Sequence, residues 1–257
     1  MEMTHRSSQM TRILDGATED RSSDIAIESE VRLSVNGELW LSFRCSPENL
    51  DSLAVGFLFN EGFIQSIDEV ASLQICDEGD HVDVWLHHEV QKPESWSRTS
   101  GCQGGSTRTC QVQIPPLTDL QIYPVSGILK QVDYFLTELH KPDYPQRGVH
   151  STMLFDNGEV RLVCNDIGRH NTLDKIAGDL LDEQIELEIP VIITTGRISS
   201  EMVNKIVRMK IPLAISLHSV SDLAVMEGDA SGLTLIGHAR RNKVDIYAHP
   251  ERISART

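Results

Sequence analysis

A thiol set among glycines is the residue of this chain best suited to covalent chemistry. The run Thr99-Ser100-Gly101-Cys102-Gln103-Gly104-Gly105-Ser106-Thr107-Arg108-Thr109-Cys110 gives Cys102 small neighbours and no core to pack into, which predicts an accessible thiol. A cation nearby, such as Arg108, raises the thiolate fraction, and the thiolate is the nucleophilic form. The alternative is an inert loop thiol. Cys45, Cys76 and Cys164 fall within strand-like patterns and read as small hydrophobes. An odd total of five cysteines in a chain of 257 residues argues against a disulfide framework and points to a reducing cytoplasm.

A second chemistry is anion binding. Three loops in the second half stand at strand ends: Asn165-Asp166-Ile167-Gly168-Arg169-His170-Asn171, Thr194-Thr195-Gly196-Arg197-Ile198-Ser199-Ser200 and Ser216-Leu217-His218-Ser219-Val220-Ser221. Ligands of open α/β sheets gather at the carboxyl ends of strands, where helix N-termini offer free N–H donors. Arg169 and Arg197 could each grip a phosphate through two parallel hydrogen bonds, or instead pair with acids such as Asp166 or Asp174. The run Gly237-His238-Ala239-Arg240-Arg241-Asn242-Lys243 puts three bases in four residues of an acidic chain, and reads as a solvated turn or as a phosphate grip. Other motifs fail. The Gly-rich loop lacks the Gly-Lys-Ser/Thr ending of a P-loop, and the Cys102/Cys110 spacing is a weak zinc signal. His249-Pro250-Glu251 matches half of a zinc-deaminase signature, with no P-C-x-x-C after it.

The elements that must hold these loops are legible in the pattern. Residues 1–24 are polar and without period, and read as a disordered, mobile tail. Val31-Leu33-Val35 and Leu39-Leu41-Phe43-Cys45 alternate around Asn36-Gly37, a hairpin. Ser46-Pro47-Glu48 is expected to start a helix carrying Leu50, Leu53, Ala54, Phe57 and Leu58, closed by Gly62. A second hairpin turns at Asp77-Glu78-Gly79-Asp80, which makes a ββαββ unit; Gln91 to Pro116 reads as a long loop or linker. The second half predicts a hairpin at Asp156-Asn157-Gly158, and a helix capped by Asn171 with Leu173, Ile176, Ala177, Leu180 and Leu181 on one face. Strands at Val191–Ile193, Leu213–Leu217 and Leu233–Ile236 then alternate with helices from about Ser199 and near Ser221–Glu227. That alternation implies a parallel or mixed sheet covered on both faces. The expected organisation is a tail (1–24), a small α+β domain with the cysteine loop (25–113) and an α/β domain (114–257).

Charge excludes some partners. The chain carries a formal −15, split as −11 over residues 1–113 and −4 over 114–257. Such a field repels nucleic acid and anionic membrane, and places any anionic ligand in the second half. The longest apolar run, Ile211–Leu217, already contains Pro212 and Ser216, far short of the ~20 residues of a membrane span. The first thirty residues hold no apolar signal core, which again predicts a cytoplasmic protein.

Taken in register, several runs resemble the FdhD/NarQ family of formate dehydrogenase accessory proteins. They are Ala54-Val55-Gly56-Phe57-Leu58-Phe59-Asn60-Glu61-Gly62-Phe63-Ile64, Gly148-Val149-His150, Asp166-Ile167-Gly168-Arg169-His170-Asn171 through Asp174-Lys175, Thr195-Gly196-Arg197-Ile198-Ser199 through Glu201-Met202-Val203, and Gly232-Leu233-Thr234-Leu235-Ile236-Gly237. The resemblance implies a cytidine-deaminase-like α/β domain without zinc ligands, preceded by a smaller α+β domain, in a homodimer. It implies a sulfur carrier, a sulfurtransferase that accepts persulfide sulfur from a cysteine desulfurase. The sulfur would pass to the bis-molybdopterin guanine dinucleotide molybdenum cofactor, cargo for formate dehydrogenase; no metal of its own is implied. Cys102 matches the first cysteine of the family's C-x-x-C loop, and Gly105 replaces the second, which leaves one persulfide site. His238, Ala239, Arg240, Arg241, Asn242 and Lys243 match the cofactor-binding stretch. The rival expectations are a non-catalytic chaperone for the same cofactor and a nucleotide-dependent hydrolase.

Overall fold

In a computed structural model, residues 5–93, 96–98, 106–108, 114–118, 121–141, 144 and 148–255 are described. The chain opens with β1 (His5–Leu14) and β2 (Ala17–Ala26), a ten-pair antiparallel ribbon. This corrects the expectation of a disordered tail over residues 5–24. Asp15 and Gly16 take φ of +51° and +83°, the turn that an Asp-Gly pair forms most readily, and it locks the register of otherwise polar strands.

The same device recurs twice. Asn36-Gly37 joins β3 (Ser29–Val35) to β4 (Glu38–Cys45) with φ of +50° and +79°, as expected. Helix α1 (Leu50–Asn60) follows, then β5 (Val70–Ile75) and β6 (His81–Leu86), giving a four-stranded sheet in the order β4-β3-β6-β5. Ser46 does not cap α1: Asn49, in the left-handed region, precedes the helix, and Ser46 turns towards Asp166. Val31, Leu33, Phe43, Val82 and Val84 meet Leu53, Phe57 and Leu58 in the first core. The two short strands β7 (Trp96–Arg98) and β8 (Ser106–Arg108) pair within the stretch expected to be a loop. Cys102 falls between them in sequence, and both Cys102 and Cys110 lie outside the described residues.

The second half begins with β9 (Tyr123–Pro124) and an unanticipated helix, α2 (Val125–Leu139). The Asn157-Gly158 turn joins β10 (His150–Asp156) to β11 (Glu159–Asp166), and then come α3 (Arg169–Asp182), β12 (Pro190–Thr194), α4 (Ser200–Arg208), β13 (Leu213–Ser216), α5 (Asp222–Ser231), β14 (Thr234–Arg240), β15 (Lys243–Ala248) and β16 (Ile253–Ser254). Six strands form one mixed sheet, β11-β10-β12-β13-β14-β15, the expected α/β architecture. One face packs on α3, α4 and α5 through Leu173, Ile176, Met202, Ile206 and Ala224. The other is closed by α2 through Ile128, Val132 and Phe135. Gly168, not Asn171, stands at the start of α3.

The two halves meet along α1 and α3, and two glycines set their distance. A Cβ on Gly56 would lie 1.7 Å from the Asp174 carbonyl oxygen, and one on Gly178 would lie 2.1 Å from that of Ser52. Only glycine permits backbone contact this close. It explains why α1 is buried nearly all round, and why the first ten residues of α3, Arg169–Gly178, are buried without a break.

Candidate functional site at the carboxyl edge of the sheet

β11 and β12 both run antiparallel to β10, while β13 and β14 run parallel to β12. The carboxyl ends of β11, β12, β13 and β14 therefore share one edge with the start of β10. All three candidate loops, the His238–Arg240 strand end and His150 are gathered there. Hydrogen bonds tie the loops together. Ser216 Oγ donates to the Gly196 carbonyl at 2.7 Å, and His238 N to the His218 carbonyl at 2.7 Å. Ser151 N donates to Thr195 Oγ1 at 2.9 Å, and Thr195 Oγ1 lies 3.5 Å from His150 Nδ1. A Cβ on Gly196 would meet the Arg169 side chain at 2.9 Å, so this glycine lets the second loop close over that arginine.

The edge brings the Arg169 and Arg197 guanidiniums together with three imidazoles, His150, His170 and His218. Burial lowers the His150 pKa, and Arg169, His218 and His170 lower it further, which places all three within electrostatic reach of His150. Burial also lowers the His170 pKa, partly offset by Glu201, whose carboxylate is 3.2 Å from Nε2. Ser199 Oγ is 3.4 Å from the same Nε2. Serine and glutamate thus address one nitrogen, and the buried Nδ1 has no hydrogen-bond partner among the described residues. A serine-based relay needs the carboxylate on the second nitrogen to orient the ring, so this trio is not a catalytic triad. Arg197 is exposed at the rim.

Beneath the edge lie two buried ion networks. Asp166 accepts from Gly168 N and Asn171 Nδ2 at 2.8 Å, from Ser46 N at 3.1 Å, and from Lys175 Nζ at 2.7 Å. Four donors compensate the burial of one carboxylate and fix the loop that presents Arg169 and His170. One turn further along α3, Asp174 is 2.7 Å from Lys205 and accepts from Asn60 at 2.8 Å, with Glu61 3.3 Å from the same lysine. Burial alone would lower the Lys205 pKa, but Asp174 and Glu61 outweigh it and hold the ammonium charged. The acids considered as partners for the arginines thus have lysines bonded to them. These hubs, and the clustering of His150 with His218, escaped the sequence reading; the polar residues of α3 among its core positions were the signal.

The basic run sits at the β14–β15 turn. Arg240 Nη1 donates to the Leu217 and Ala239 carbonyls at 2.6 and 2.8 Å, so it braces the His218 loop. Arg241 pairs with Asp133 of α2, and Lys243 lies 3.3 Å from Asp245. His238 holds a left-handed φ of +48° with its ring near Tyr247, Ala239 is buried, and Asn242 is exposed. A separate groove of about 980 Å³ lies at the opposite edge of the sheet, lined mainly by apolar residues such as Leu180, Ile185, Leu187 and Ile114. Its lining includes none of the groups just described.

The described cysteines are chemically quiet or isolated. Burial, with Asp166 adding, pushes the Cys45 thiol up to about 12, and burial with Asp179 raises Cys164 well above the ordinary range. Such thiols stay protonated at neutral pH and are poor nucleophiles. Cys76, expected to pack as a small hydrophobe, is instead exposed just past the end of β5, where it donates to Asp80 at 3.0 Å. It begins the turn rather than ending the strand. No helix of the described residues is long and apolar enough to cross a membrane.

The fold and edge define a mixed α/β protein in which a small α+β unit packs through α1 on α3, beside a sheet whose carboxyl edge gathers arginines and histidines. The chain belongs to the FdhD/NarQ family, whose model matches residues 26–254. It is 32% identical over 254 residues to the sulfur carrier protein FdhD of Wolinella succinogenes, covering 95% of this chain and 88% of that one. It is 27% identical to the sulfur carrier protein FdhD of Shouchella clausii, covering 98% and 97%. The crystal structure of a formate dehydrogenase accessory protein from Desulfotalea psychrophila superposes with a TM-score of 0.77 at 26% identity, over 98% of this chain and all of that one.

Proposed function

We propose that this protein is a sulfur carrier that loads sulfur onto the molybdenum cofactor destined for formate dehydrogenase. The observation that supports it best is the gathering of Arg169, Arg197 and Arg240 with the imidazoles of His150, His170 and His218 at one sheet edge, in a chain of net −15. Relatives named sulfur carrier proteins supply the chemistry to pair with it. Cys102 is the acceptor: its thiolate attacks the terminal sulfur of a cysteine desulfurase persulfide, and the desulfurase cysteine leaves as a thiolate. One thiol suffices: an acceptor that supplies the electron pair takes the terminal sulfur as sulfane sulfur, the S–S bond breaks, and Cys102 leaves as a thiolate ready for the next cycle.

On this reading residues 25–113 carry the thiol, and residues 114–257, a cytidine-deaminase-like arrangement, hold the bis-molybdopterin guanine dinucleotide. Arg169, Arg197 and the run His238, Ala239, Arg240, Arg241, Asn242 and Lys243 would face its phosphates. The Arg241–Asp133 pair is exposed on both sides, and such pairs contribute little, so a phosphate can take the place of the aspartate. The protein works in the cytoplasm as a homodimer. The test is restoration of formate dehydrogenase activity in cells lacking the protein. Cys102→Ser is expected to fail and Cys110→Ser to succeed; full restoration by Cys102→Ser would favour a cofactor chaperone that carries no sulfur.

A further inference from the structure

The β1–β2 ribbon precedes the family-matched region almost entirely, ending at Ala26 where the match begins. Among the described residues its strands pack on each other and on no helix or sheet to a comparable extent. Ten residues per strand at about 3.4 Å each make an arm roughly 34 Å long. A lone two-stranded ribbon is marginal in water unless something covers a face.

The register assigns the faces, because residues directly opposite one another share a side. Arg6 pairs with Ile25, Met10 with Arg21, Arg12 with Glu19 and Leu14 with Ala17. That face holds three arginines, one acid and four apolar side chains, of which Met10, Leu14 and Ile25 are exposed by 37, 67 and 50%. Arg21 engages the single acid, Glu19, at 2.9 Å. The opposite face carries Asp20 and Asp24 among hydroxyls, with the exposed Ile13 near the turn. A cationic, apolar face, net +2, is an outlier in a chain whose remaining residues total −17.

A complementary surface exists on the same chain. Where α1 meets α3, Ser52 Oγ donates to Asp179 at 2.5 Å, which brings the exposed Asp51 of α1 beside Asp179, with the exposed Glu183 one turn further on at the end of α3. Asp182 is on the same helix, three residues from Asp179. We propose that the arginine-bearing face of the arm docks on this acidic α1–α3 surface of a second copy of the chain. Arm and target on one chain make a self-complementary contact that a two-fold axis repeats. The inference does not depend on sulfur transfer.

Analytical ultracentrifugation of the full chain tests it. The wild type is expected to dimerise, with an association that weakens as salt rises. Arg6→Glu/Arg12→Glu/Arg21→Glu should raise the dissociation constant at least about tenfold with an unchanged melting curve, because the arm enters neither core. Adding Asp51→Lys and Glu183→Lys to that variant should restore dimerisation. A wild type that stays monomeric, or a reversed arm that dimerises normally, would overturn the arm's role. Weakening without rescue would overturn the acidic surface as its target.

Discussion

Gly56 on α1 faces the carbonyl oxygen of Asp174 on α3 so closely that a Cβ would stand 1.7 Å from it. Gly56→Ala therefore forces the helices apart and loosens the seam between the two halves. The expected loss is about 1–3 kcal/mol or more, the range for overpacking a close contact. Chemical denaturation measures it; a loss below about 0.5 kcal/mol would mean that the helices separate freely.

Lys205 compensates two buried carboxylates at once, Asp174 and Glu61. Lys205→Met removes the cation and leaves both acids in the seam, a change that costs about 3–5 kcal/mol when one partner of a buried pair is lost. Burial already raises the Asp174 pKa. Without Lys205 that carboxyl should take up a proton more readily, so the deficit should shrink as pH falls. Denaturation of the variant at pH 7.5 and at pH 5 checks both the size and the sign.

Burial first, and neighbouring cations second, hold His150 below the ordinary histidine value; burial does the same to His170 against the pull of Glu201. The unfolded chain binds protons on these rings near pH 6.5, where the folded chain does not. Stability is thus fully present above pH 6.5 and declines as pH falls towards the folded values, by up to about 1.4 kcal/mol per pH unit for each ring. Melting curves between pH 7.5 and 5.5 should show this slope, and His150→Gln should flatten it; an unchanged slope would remove His150 from the account.

The parts of the fold decided locally were legible. Asn36-Gly37 and Asn157-Gly158 announce hairpins because two residues fix the turn, and the alternation of β3, β4, β10 and β11 follows from them. Asp15-Gly16 carries the same signal, but its flanking strands are polar and the turn was the only clue. α2 repeats Ile128, Val132 and Phe135 at helical spacing, and β15 alternates Val244, Ile246 and Ala248; both patterns were present but weak beside their polar neighbours. The three loops of the site were found because strand–loop–helix order alone brings them to one edge. The Asp166 hub was not, since Ser46 and Asp166 are 120 residues apart and nothing local joins them.

The proposed phosphate site has a test in which two substitutions move in opposite directions. Arg241→Ala should weaken calorimetric binding of GDP about tenfold or more, the value of one charge-assisted contact. Asp133→Asn frees the same guanidinium and should strengthen binding severalfold. Equal affinities in both variants would move the phosphates towards Arg169 and Arg197.

The claim that decides the account is that Cys102 carries sulfur. Mass spectrometry of the protein after incubation with a cysteine desulfurase and cysteine measures it directly. The expected result is a gain of one sulfur atom, released by reductant and localised to Cys102, while Cys45 and Cys164, buried and protonated, stay unmodified. A wild-type protein that gains no sulfur, or one whose sulfur persists in Cys102→Ser, would contradict it.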